Sequence, residues 1–207
     1  MMRTTFLLLL LVGAACTTGE APDASQQTAA DSTPWRQPGD VIDSILPMEE
    51  HLRRFRDGIP EVTALAGGAT SRDTLVAQFM RAVEARDTAF FRGALLSRAE
   101  FGWLYAPNHK YAKPPYELPT GLFWFQLQQS SEKGIGRLLE RFGGRPLRYA
   151  SYTCDRAASE PIGAGTVHGD CVVRYDRPDV GADTAALFGG IFELNGRFKF
   201  LSYANGF

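Results

Sequence analysis

The chain has no surplus of either charge: 22 Lys and Arg stand against 23 Asp and Glu, and no block of like charge interrupts them. Nucleic-acid binding needs a basic patch that releases counterions from phosphates, so that class is excluded. Histidine is scarce. His51, His109 and His168 lie far apart, without HExxH spacing and without a CxxC pair, so no metal site is expected. There is no GxSxG elbow and no P-loop lysine. The run GAGTVHG at 163–169 nearly spells a dinucleotide fingerprint, but its last glycine comes one residue late. It also leads into a strand, where pyrophosphate needs a helix N-terminus. No cofactor is therefore expected. Internal repeats are absent too.

Long apolar runs are also missing. The longest, near the start of the chain, falls short of the roughly 20 residues a membrane-spanning helix needs. Arg3, the apolar stretch 6–12 and Gly13-Ala14-Ala15 have instead the three parts of an export signal. The segment LVGAAC, 11–16, resembles a bacterial lipobox, with Gly13 where leucine or valine is usual. That resemblance implies cleavage after residue 15 and a lipid on Cys16; the plainer alternative is a secretory signal cut near Ala15. Several acyl chains anchor stably where one does not. Residues 16–40 are rich in Ala, Ser, Thr, Gln, Asp and Pro, a composition that cannot bury a core. As a tether they would span roughly 25–30 Å. Thr17 rather than Asp after the lipidated cysteine points to the cell envelope, at the outer membrane facing the periplasm.

Cysteine is almost absent: beyond Cys16 only Cys154 and Cys171 remain. In an oxidising compartment such a pair is expected as a disulfide between strands joined by one loop, 156–165. The bland alternative is two buried free thiols.

What is present organises into helices, then strands. Residues 47–56 form a short amphipathic helix with Met48, Leu52 and Phe55 on one stripe, stopped by Gly58 and Pro60. A connector fills 61–70. Asp73 is the expected N-cap of a helix carrying Leu75, Val76, Phe79, Met80 and Val83, and Asp87 the cap of a second with Phe90, Phe91, Ala94 and Leu95. A short piece follows Ser97. The stretch 106–119 has three prolines and is expected to be irregular. Helix resumes with Thr120 as cap and Leu122, Phe123, Trp124, Phe125 and Leu127 within a turn and a half, apolar all round, which should be buried. It continues through Ile135, Leu138, Leu139 and Phe142 to Gly143-Gly144.

From 147 the period becomes two. Strands are expected at 147–155, 166–176, 187–194 and 197–203. Asn195-Gly196 is a strong hairpin signal, and a two-residue turn there pairs Ile191 with Phe200 and Phe192 with Lys199. Large apolar residues fall on both faces, so the hairpin should be covered on both. This order gives an α+β fold with amino-terminal helices packed on a curved antiparallel sheet.

The helix pair LVAQFMRAVEARDTAFFRGALL (75–96) and the closing NGRFKFLSYANGF (195–207) resemble the nuclear transport factor 2-like superfamily, which includes ketosteroid isomerase, scytalone dehydratase and SnoaL-like proteins. The resemblance covers 72–207 and implies a cone-like barrel around an apolar pocket, often dimeric across the sheet's outer face. No position matches the catalytic motifs of the family's enzymes.

Two candidate sites remain. His168 and Asp170, at i and i+2 on one strand, would share a face as an acid–base pair. Arg174 and Asp176 continue that face, as a solvated row would. Trp103, Tyr105, Tyr111, Tyr116, Phe123 and Trp124 bracket the proline-rich segment. They would line a pocket under a lid, or form core beneath a stiff loop. The expectation is an exported, lipid-anchored binding domain without catalysis, taking a small apolar ligand or an envelope protein. The alternatives are a small isomerase or hydratase using His168 and Asp170, and a structural envelope protein with a filled cone.

Overall fold

The computed structural model describes residues 46–206; the expected signal, Cys16 and the expected tether lie outside the described residues. Helix α1, Met48–Arg56, buries Phe55 edge-on against Phe101, ring centroids 5.6 Å apart. Gly102 permits this approach, because a Cβ there would come within 2.8 Å of the Phe55 ring.

Helix α2, Arg72–Ala85, starts two residues earlier than an Asp73 cap predicts. Ser71 is the cap, its Oγ accepting the Thr74 N–H at 3.0 Å. Asp73 instead accepts the Tyr149 hydroxyl at 2.8 Å. The Ala-Arg-Asp break is as expected: Arg86 turns left-handed at φ 55°, and Asp87 caps α3, Thr88–Ala94, through the Ala89 and Phe90 N–H groups. Ser97 and Glu100 form a capping box on α4, Arg98–Glu100, which runs into one π turn, Phe101–Tyr105. The proline-rich stretch holds only two short 3₁₀ turns and a cis Pro114–Pro115 bond.

Helix α5, Thr120–Phe142, follows Pro119 without a side-chain cap, so Thr120 is its first residue and not its cap. The apolar turn and a half is only half buried: Phe123 is 8% exposed, whereas Leu122 and Phe125 are 44% and 54% exposed. Periodicity cannot choose a face when apolar residues, Gln126 aside, lie all round the helix. Farther on, Ser131 and Gly134 lie where the chain leaving the last strand crosses the helix. A Cβ on Gly134 would overlap the Tyr203 carbonyl, Ser131 Oγ accepts the Tyr203 N–H, and Asn205 Nδ2 donates to the Gly134 carbonyl.

Among the described residues, seven strands form two antiparallel sheets and no closed barrel. They are β1 Arg148–Cys154, β2 Ser159–Ile162, β3 Gly165–His168, β4 Cys171–Arg177, β5 Gly181–Ala185, β6 Gly190–Leu194 and β7 Arg197–Ser202. One sheet has the order β1-β4-β5, the other β2-β3-β6-β7. The single strand expected at 166–176 is therefore two, separated at Gly169-Asp170, where Asp170 takes φ 45°. The expected cone-like barrel is not closed: the described strands fall in two sheets. Sequence periodicity misses β2 and β5 because both are short and poor in large apolar residues: β2 is Ser-Glu-Pro-Ile, its Pro161 tolerated on an edge strand, and β5 is Gly-Ala-Asp-Thr-Ala. Cys154 and Cys171 face each other as the last pair of β1 and β4 and form a disulfide, beside the break between the sheets.

The β6–β7 hairpin has the expected register, Ile191 with Phe200 and Phe192 with Lys199. Ile191, Phe198 and Phe200 face a first core with Leu75, Val76, Phe79 and Leu138. Phe192 and Leu194 face a second, built from Phe55, Leu65, Phe101, Tyr105 and Phe123. Both faces are covered. In the second, Lys199 Nζ bridges both oxygens of Glu100 at 2.9 and 3.0 Å, with the two side chains 5% and 1% exposed. Glu100 also accepts the Ala66 and Ser97 N–H groups at 2.6 Å each, so its lone pairs are satisfied and the charge is neutralised.

Candidate functional site

The six aromatics named from sequence meet only in part. Tyr105 and Phe123 are buried, and Tyr111 and Trp124 pack half-buried against the same second core. Tyr111 lies edge-on to Phe123 at 5.3 Å and to Tyr116 at 5.4 Å, but Tyr116 is 59% exposed. Trp103 stands apart, with the Arg56 guanidinium 4.0 Å over its ring and its indole Nε1 buried without a hydrogen-bond partner. Ring packs on ring here. His109, which sequence reasoning left aside, is buried among Tyr105, Tyr111 and Phe123, its Nδ1 accepting the Tyr111 N–H at 3.2 Å. Burial lowers its pKa from the ordinary value, with Glu160 opposing and Lys110 reinforcing.

The His168–Asp170 pairing is not formed. β3 ends at His168, and Asp170 lies in the break that follows, so the two do not share a strand face. The partner of His168 is Glu193, on the neighbouring strand β6: Nε2 and Glu193 Oε2 are 2.7 Å apart. Arg72, the first residue of α2, donates to His168 Nδ1 at 3.2 Å. A guanidinium can only donate, so Nδ1 is the acceptor there and Nε2 carries the proton given to Glu193. Ser159 Oγ stands 3.4 Å from the same Nδ1. Arg72, Ser159 and His168, with Tyr152 and Arg156, line an open cleft of about 380 Å³ next to the disulfide, and Glu193 stands behind the imidazole. Burial pushes the Tyr152 hydroxyl up, while Arg72 draws it down. Arg174 and Asp176 belong to the other sheet and take no part.

A second cleft, of about 310 Å³, follows the seam between α3 and α5. Phe91, Leu95, Ile135 and Tyr203 make its apolar wall, with Gln128 and Ser131 among its polar groups. The Tyr203 hydroxyl donates to the Phe91 carbonyl at 3.0 Å, which fixes the ring in the wall, and its burial raises the pKa far above the usual value.

Arg72, Ser159 and Glu193 were not legible as site residues, because they come from a helix start, an edge strand and an inner strand. Only the strand pairing of His168 with Ile191, two residues from Glu193, brings the acid diagonal to the imidazole. Among the described residues no three His, Cys, Asp or Glu side chains converge as a metal site would require. No family model, curated protein or solved structure matches the chain.

Proposed function

We propose that this is an exported, lipid-anchored, non-catalytic binding domain that takes a small apolar ligand in the groove between α3 and α5. The observation that carries the reading is the groove itself: a concave apolar wall of Phe91, Leu95, Ile135 and Tyr203 with a few convergent polar groups. It replaces the aromatic cluster at the proline-rich segment as the ligand site, since those rings fill space that a ligand would need. The His168 cleft supports catalysis less well. The Nδ1 lone pair that a general base would use receives an Arg72 N–H, and Ser159 Oγ at 3.4 Å is beyond an O–H···N contact of activating length.

Titration of the full-length protein with a fluorescent medium-chain fatty acid tests the groove. Saturable binding is expected, lost or weakened roughly tenfold or more in Ile135→Arg, which places a charge in the wall. Equal binding by wild type and variant would place the ligand elsewhere and end this reading.

A further inference from the structure

We propose that the cleft beside the disulfide is an oxyanion-binding site, in which Arg72 and Arg156 receive the phosphate or carboxylate group of a small organic anion. It shares no residue with the apolar groove. Three observations carry it.

The first is unpaired positive charge. Among the described residues, neither Arg72 nor Arg156 has a carboxylate within ion-pair distance. Glu193 is held by His168, Asp73 by the Tyr149 hydroxyl, and Asp155 by the Ala157 N–H. Two guanidiniums therefore line one concavity with most of their N–H groups unused.

The second is the position of Arg72. It is the first residue of a helix of 14 residues, where the helix dipole disfavours a cation. It is not drawn away to solvent but held inward against His168 Nδ1 at 3.2 Å. A residue that works against its local preference and is held there by a buried partner marks a site whose balance is completed by something else. A bound anion would satisfy both the guanidinium and the helix N-terminus.

The third is the support behind it. His168 is anchored by Glu193 on its far nitrogen, so the ring that positions Arg72 cannot swing. Ser159 Oγ in the cleft wall donates to the Asp155 carbonyl at 3.3 Å, and the Tyr152 ring gives the cleft an apolar side. The volume, about 380 Å³, exceeds that of a bare oxyanion and leaves room for an organic body. Guanidinium geometry matches phosphate and carboxylate alike, since both present two oxygens to a planar fork.

The test is calorimetric and NMR titration of the full-length protein with inorganic phosphate and with acetate, against sodium chloride at matched ionic strength. Saturable binding of either anion is expected, with shifts confined to Arg72, Arg156, Ser159 and His168. Phosphate ahead of acetate identifies a phosphate ligand, and the reverse order a carboxylate. Arg72→Gln and Arg156→Gln should each weaken binding roughly tenfold or more, as loss of a charge-assisted contact does, while Arg197→Gln on β7 changes nothing. Should Arg72→Gln fail to fold, the exposed Arg156→Gln still decides the matter. Neither anion binding beyond chloride, or both arginine variants binding like wild type, overturns the proposal.

Discussion

At the scale of single residues, two buried polar groups make opposite demands on the fold. His109 is held neutral among aromatic rings, its pKa below the ordinary 6.5 chiefly through burial. The unfolded chain takes up this proton near the ordinary value and the folded chain only at lower pH, so below about 6.5 the unfolded state binds more protons. Stability should fall as pH drops through that value and level off above it. His109→Phe should remove this part of the slope, read as urea midpoints against pH; parallel curves for the two proteins would refute it. Glu100 and Lys199 form the other case, a charged pair buried with all its hydrogen bonds made. Lys199→Met leaves Glu100 uncompensated and should cost about 3–5 kcal/mol in urea unfolding. Lys199→Met with Glu100→Gln should recover much of that loss; a double variant as unstable as the single one would show that packing, not charge, dominates.

At the scale of elements, the middle of α5 combines weak helix propensity with close packing. Gly134→Ala should destabilise by about 1–3 kcal/mol, because its Cβ meets the Tyr203 carbonyl. Gly136→Ala, two residues on and facing open space, should instead stabilise by about 0.5–1 kcal/mol through helix propensity alone. Thermal melts of the two variants moving in the same direction would refute this division of the helix. For the disulfide, which spans 17 residues, Cys154→Ala with Cys171→Ala should cost about 3 kcal/mol on the chain-entropy estimate. An unchanged melting temperature would mean that the β2–β3 hairpin it encloses is already ordered in the unfolded chain. These elements differ in how plainly the sequence announces them. Asn195-Gly196 set the register of β6 and β7 because the turn is local and both neighbours are strongly apolar. β2 and β5 left no such mark, since Ser-Glu-Pro-Ile and Gly-Ala-Asp-Thr-Ala carry almost no large apolar side chains to alternate. Glu100 and Lys199 lie 99 residues apart, and no local pattern joins them.

At the scale of the whole molecule, the proposed lipid on Cys16 is checked directly. Mass spectrometry of membrane-extracted protein should find a chain beginning at Cys16 with added diacylglycerol, and Cys16→Ala should leave the membrane fraction. A soluble mature chain that starts later would refute the anchor. The α+β order was readable because the apolar period changes once, near residue 147; the candidate site was not, because its four polar groups come from α2, β2, β3 and β6. The hairpin that carries Glu193 has one more consequence. β6 and β7 are a wall common to both cores, so neither core can melt and leave the other with a complete boundary. Calorimetry should record a single endotherm whose van't Hoff and calorimetric enthalpies agree, although the packing is divided in two. Hydrogen exchange should find the amides of Ile191, Phe192 and Phe200 among the slowest, released only when the entire domain opens.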